Sequence, residues 1–171
     1  LIEDELLRPT DCAPTSFSGT AVDYGKVITF KRRLIERAWN NFIVAARSQL
    51  QVDFEQFCHD QKHWLEDYAL FRVLKAKYND TYYLEWPVEL VKRVPAALAQ
   101  ARRDLASEID QVRFAQFVLF RQGERLKKHA RVKGVRLIGD LPFFVPPDSS
   151  DVWANPELFL LDEQHWPRFV A

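Results

Sequence analysis

The run Val135-Arg136-Leu137-Ile138-Gly139 is short, apolar and closed by Asp140, which sets a carboxylate where a buried strand would surface. In parallel α/β proteins the loops at the C-terminal ends of strands carry the chemistry, so Asp140 is the first candidate for ligand contact. A carboxylate there can accept hydrogen bonds from ligand hydroxyls, or it can brace the adjoining loop. Beyond it, Leu141-Pro142-Phe143-Phe144-Val145-Pro146-Pro147 is apolar and stiffened by three prolines, so it is expected to pack against something. Asp148-Ser149-Ser150-Asp151 follows, then Val152-Trp153 and Asn155-Pro156-Glu157. Taken singly, Ser150, Asp151 and Asn155 have the ordinary reading of helix caps, with Pro156 at a first helical position and Glu157 in a first turn.

A second constellation is His59-Asp60-Gln61-Lys62-His63, two histidines four apart on a helical pattern, as in a zinc-protease helix but with Asp in place of Glu. The shorter acid would reach a metal-bound water poorly, no third ligand is marked, and Phe54, Phe57 and Trp64 give the segment an ordinary packing face. Exposed helix histidines are the better account, and no residue is nominated as a metal ligand.

The elements expected to position these groups are mainly helical. Val27, Phe30, Leu34, Ala38, Phe42 and Ala45 recur at three- and four-residue spacing, which predicts an amphipathic helix over 26–47 after a turn-rich lead-in. Phe54, Phe57 and Cys58 mark a second helix, and Trp64, Tyr68, Phe71 and Leu74 a third. Pro87 interrupts, because the residue before proline is biased out of the helical region. Pro95 opens the next helix, over 96–106. A long helix over 108–130 combines Val112, Ala115, Leu119, Leu126 and Ala130 with Phe114, Phe117 and Phe120, so it is apolar around much of its girth and should be largely buried. Gly134 ends it. The strand over 135–139 is the one clear strand, and a short hairpin is expected over 159–170 with its turn at Asp162-Glu163-Gln164.

Composition narrows the partners. Lys plus Arg and Asp plus Glu each number 24 in 171 residues, so no bulk positive field exists to hold nucleic acid. The basic stretch over 121–128 contains Glu124 and reads as a solvated helix face. With 47% hydrophobic and 28% charged residues the chain has an ordinary globular composition. No apolar run approaches the roughly 18 residues of a membrane span, and no signal pattern opens the chain. Cys12 and Cys58 are too few for a disulfide framework, so a cytoplasmic setting is expected. Without methionine and without a terminating feature at its end, the sequence is expected to be a stretch of something longer.

The residues over 136–145, continued by Asp148-Ser149-Ser150-Asp151-Val152-Trp153-Ala154-Asn155-Pro156-Glu157-Leu158-Phe159, resemble the third-strand region of the amylomaltase or disproportionating-enzyme family. Val22-Asp23-Tyr24 leading into Lys31-Arg32-Arg33-Leu34, Trp64-Leu65-Glu66-Asp67-Tyr68-Ala69-Leu70-Phe71, and Gln116-Phe117 through Gln122 to Leu126-Lys127-Lys128 resemble it too, in the family's order. The resemblance implies an α/β fold, a fragment of a (β/α)8 TIM barrel, with a helical insertion over 1–133 and a barrel strand and active-site loop over 134–171. It implies 4-α-glucanotransferase chemistry, the transfer of α-1,4-glucan segments between malto-oligosaccharides with retention, and no cofactor. Asp140, Ser149, Asp151 and Trp153 are the substrate-binding candidates. The family's nucleophile and acid/base are expected on later strands, and its first two strands before Leu1, so no catalytic residue is assigned to the fragment.

Retention needs two carboxyl groups roughly 5 Å apart across the bond, and hydrogen bonds to sugar hydroxyls that strengthen in the transition state. Asp140 would belong to that supporting set. The family pattern is broken at Gly123, where tryptophan is usual, and at Pro146 and Ser150, where alanine is usual. The alternative function is a non-catalytic helical module binding glucan or protein, with Trp153 and Trp166 as the contact aromatics. The isolated chain is expected to lack activity and, with an incomplete barrel, to self-associate.

Overall fold

The computed structural model describes residues 1–13, 17–45, 48–140 and 144–168. These form seven α-helices with short 3-10 turns between them. The chain divides into two units, Leu1–Phe57 and Cys58–Ala171.

In the first unit α1 (Tyr24–Val44) begins at Asp23, whose carboxylate accepts from Lys26 N at 3.1 Å. Its apolar stripe buries Ala38 and Phe42, with Trp39 beside them, whereas Val27, Phe30 and Leu34 are only partly covered. Phe42 meets Trp39 and Phe54 at ring-centroid distances of 5.8 and 5.5 Å. Leu6 and Leu7 are buried as well, and Asn41 Nδ2 donates to Leu6 O at 2.8 Å. The predicted end of this helix at Arg47 lies outside the described residues.

The helix α2 (Gln49–Asp60) leads into the second unit, where α3 (Lys62–Lys77) is the hub. Buried positions Ala69, Leu70, Phe71, Val73, Leu74 and Lys75 cover most of its girth, with Arg72 and Ala76 left exposed, as a central helix with one open edge requires. Around it pack α4 (Val88–Val91), α5 (Pro95–Asp104), α6 (Ala106–Val132) and α7 (Ser150–Ala154). Pro87 caps α4, and Pro95 opens α5, as their missing N–H groups allow. The rings of Phe71, Tyr83, Trp86 and Trp153 fill the centre.

Three expectations need correction. First, no strand occurs among the described residues: 135–140 is irregular and in no ladder, with Ile138 96% exposed. A strand is a hydrogen-bonded ladder, and β-propensity supplies no partner. Second, α6 is not buried all round. Ile109, Phe114, Phe117 and Val118 are covered, but Leu119, Phe120 and Leu126 are exposed. Third, Phe144, Val145, Pro146 and Pro147 are exposed instead of packed, while Pro142 and Phe143 lie outside the described residues. The end of α6 is as expected: Gly134 adopts φ +69, and Val135 N donates back to Ala130 O at 2.9 Å. The predicted hairpin is reduced to an isolated bridge between Leu161 and Pro167, with Asp162 N donating to Trp166 O at 2.8 Å across the turn; Val170 lies outside the described residues.

Candidate functional site

The segment nominated by sequence is held by α7. Ser149, not Ser150 or Asp151, is its N-cap: the Ser149 hydroxyl accepts from Val152 N at 3.3 Å, and Ser150 is the first helical residue. Asp151 stands exposed in the first turn. Asn155 does not use its side chain as a cap; its amide donates back to Asp151 O at 3.4 Å. Asp140 is exposed in the irregular stretch that follows α6. The structure therefore brings Ser149, Asp151 and Trp153 together on one short helix.

Trp153 is the anchor beneath this surface. It is 1% exposed, its Nε1 donates to Leu90 O at 2.9 Å, and the Arg93 guanidinium lies 4.3 Å from the ring centroid. Phe71 and Trp86 flank it at 5.8 and 6.0 Å. In this arrangement the indole touches protein, so it offers no open face for stacking a ligand. Trp166, by contrast, is half exposed and stacked on Tyr82 at 5.2 Å with 9° between the ring planes.

Sequence reasoning missed the polar groups under α7. Lys75 is buried in α3, and its ammonium donates to Asp148 Oδ2 at 2.6 Å, while Asp148 Oδ1 accepts from Tyr83 N at 3.2 Å. The available signal was position: Lys75 lies four residues after Phe71, on the apolar side of α3. Arg93 was missed too, although it ties Asp67 at 2.8 Å as well as covering Trp153. Burial, then the neighbouring Tyr82 and the Asp148 carboxylate, push the Tyr83 hydroxyl up to about 12.

Phe144, Pro146, Pro147, Val152, Phe159 and Pro167 line a cleft of about 510 Å³. Its walls are apolar, so it can exclude water and hold a hydrophobic face but cannot itself move a proton. His59 and His63 do not share a helix, because α2 ends at Asp60 and α3 begins at Lys62; both are exposed. No group of three or more His, Cys, Asp or Glu that could hold a metal is found among the described residues.

The 4-alpha-glucanotransferase family matches residues 1–165. A 4-alpha-glucanotransferase of Thermus thermophilus is 41% identical over 150 residues, which is 88% of this chain and 30% of that protein. One from Aquifex aeolicus is 37% identical over 171 residues, covering all of this chain and 33% of that protein. Among solved structures, the amylomaltase from Streptococcus agalactiae in complex with acarbose aligns with a TM-score of 0.87 at 30% identity, over 97% of this chain and 34% of that one. The chain thus spans about a third of the length of the curated relatives it matches.

Proposed function

The chain belongs to the 4-alpha-glucanotransferase family, and from that premise we propose that it is the glucan-holding segment of a retaining α-1,4-glucan transferase. Its partners are α-1,4-glucans and malto-oligosaccharides, and its reaction is the exchange of glucan segments between them. In this reading residues 1–133 are a helical insertion, and 134–171 supply a (β/α)8 barrel strand with its active-site loop. Residues 135–139 become a strand when neighbouring strands complete the ladder. A cytoplasmic place of action goes with the reading; no helix among the described residues is long and apolar enough to cross a membrane.

The observation that carries the proposal is the build of α7. A short helix presents the exposed Asp151 and the cap Ser149 while its own Trp153 is clamped in the core. Such a support lets polar groups meet sugar hydroxyls without first being ordered, which is how positioning contributes to rate. Asp140, exposed in the stretch that follows α6, joins them as an acceptor for hydroxyls whose hydrogen bonds tighten as the oxocarbenium-like transition state forms. The nucleophile and the acid/base are supplied from outside this chain.

Disproportionation of maltotriose by the complete transferase carrying this segment is the test. A ladder of longer and shorter glucans is expected, and Asp140→Asn should lower kcat/KM about 100-fold, the roughly 3 kcal/mol of a lost charge-assisted hydrogen bond. Absence of the ladder with the intact sequence overturns the reading.

A second reading, a non-catalytic glucan- or protein-binding module, is favoured by the half-exposed Trp166 braced on Tyr82. It requires the 171-residue chain to bind maltoheptaose by itself, with loss of binding in Trp166→Ala.

A further inference from the structure

Lys75 is the buried charged residue among the described residues, 7% exposed. An ammonium has three protons, and here each has its own acceptor: Asp80 O at 2.7 Å, Thr81 O at 2.6 Å and Asp148 Oδ2 at 2.6 Å. The two carbonyls belong to the turn that leaves α3, where Asn79 and Asp80 adopt φ of 55 and 58. The carboxylate lies 73 residues further on, immediately before Ser149. Its second oxygen takes Tyr83 N, at the start of the 3-10 turn Tyr83–Glu85. The turn that leaves α3 and the segment that enters α7 therefore converge on one ammonium, and Tyr83 N joins them through the carboxylate.

This arrangement differs from a surface ion pair, which contributes little because water competes for both partners. The desolvated charge is compensated only if every proton is placed, and the three short bonds meet that condition. Arginine could not replace it: a planar fork matches a carboxylate edge but not three acceptors set around a point. An apolar residue would leave the Asp148 carboxylate and two carbonyls without their donor.

We infer that Lys75 is a positioning residue for glucan binding: through Asp148 it fixes the main chain at Ser149, and with it the place from which Asp151 meets the sugar. The inference rests on the reading that Ser149 and Asp151 face glucan. Trp153 holds α7 from its middle, and Lys75 holds the loop that enters it. With the entering loop loosened, α7 remains attached but its first turn, which carries both polar groups, loses its register.

The test has two arms. In the complete transferase, Lys75→Met should raise KM for maltotriose about tenfold, more than it lowers kcat, because ordering for binding is lost while the reacting groups are untouched. Lys75→Arg should fail to restore KM. In the 171-residue chain, amide exchange at Val152 and Trp153 should become about 100-fold faster in Lys75→Met, with α6 amides unchanged, as expected of a local opening. Asp148→Asn, at a partly exposed position, carries both arms if Lys75→Met does not fold. An unchanged KM in a folded variant, or an equal loss of protection throughout α3, α5 and α6, overturns the inference by showing a residue that serves only the core. Failure of the unaltered transferase to disproportionate maltotriose sinks the functional reading instead, and the exchange arm still decides whether Lys75 holds α7.

Discussion

The indole Nε1 of Trp153 donates to the main-chain carbonyl of Leu90 at 2.9 Å, joining positions 63 residues apart. Leu90 O also accepts from Arg93 N at 3.2 Å, so both of its lone pairs are used. The turn that follows α4 and the candidate binding helix α7 are thereby fastened at one atom.

That geometry separates two substitutions. Trp153→Phe retains most of the packing and leaves Leu90 O with its Arg93 bond, so it should cost about 1 kcal/mol. Trp153→Ala empties the centre of the second unit and should cost about 3–5 kcal/mol. Urea unfolding of the chain measures both; equal costs would mean that the hydrogen bond and not the ring volume matters.

Gly123 and Gly134 should respond to alanine in opposite directions. Gly123 sits inside α6 with nothing within 4 Å of an added Cβ, so Gly123→Ala should stabilise by about 1 kcal/mol, raising Tm by roughly 2–4 °C. Gly134 has equal space but φ +69, so Gly134→Ala should destabilise by about 1–2 kcal/mol. Thermal scans of the two variants check the contrast, and a shift of the same sign in both would refute it.

Alkali should weaken the fold. Burial pushes the Cys58 thiol from 9.0 up to about 11, opposed by Arg113 and reinforced by Asp110 and Glu66. Burial likewise raises Tyr83 from 10.0 to about 12. Both groups are neutral when protonated and hold the proton more tightly in the folded chain, so their contribution is complete below pH 9 and is lost as pH rises through 11 and 12. Urea midpoints from pH 8 to 12 read this. The buried Tyr83 hydroxyl has no hydrogen-bond partner among the described residues, so Tyr83→Phe should be neutral or slightly stabilising at pH 7 and should flatten the alkaline limb.

The raised Cys58 also predicts reactivity. In a Cys12→Ser background, iodoacetamide at pH 8 should modify the folded chain about 100-fold more slowly than an ordinary thiol, because the thiolate is the nucleophile. Equal rates in folded and urea-unfolded protein would show that Cys58 is not held in that environment.

We expect the isolated chain to self-associate through its second unit. Ile138 is 96% exposed, Phe144 76% and Leu126 60%, and exposed apolar surface of this kind favours association. Sedimentation velocity across a concentration series should show growth of larger species, reduced in Ile138→Glu with Phe144→Glu. A monodisperse monomer at tens of micromolar would refute it.

The sequence by itself determined the helices and their punctuation. Pro87, Pro95 and Gly134 act through their own backbone chemistry, so each did locally what its residue type requires. The family run over 136–159 was equally plain, because it is a matter of residue order. Tertiary structure decided what depends on a second segment. The stretch 135–140 has strand-forming residues yet is no strand, since a ladder needs a partner that propensity cannot provide. Leu119, Phe120 and Leu126 on the apolar face of α6 are exposed for the same reason: a stripe shows what could be buried, not what arrives to cover it. Trp153, a candidate sugar contact by type, is a core anchor because Leu90, Phe71 and Arg93 converge on it from elsewhere in the chain. Lys75, whose residue type belongs at the surface, is buried because two carbonyls of the turn after α3 and a carboxylate 73 residues further on meet its three protons, and that coincidence exists only in the folded chain.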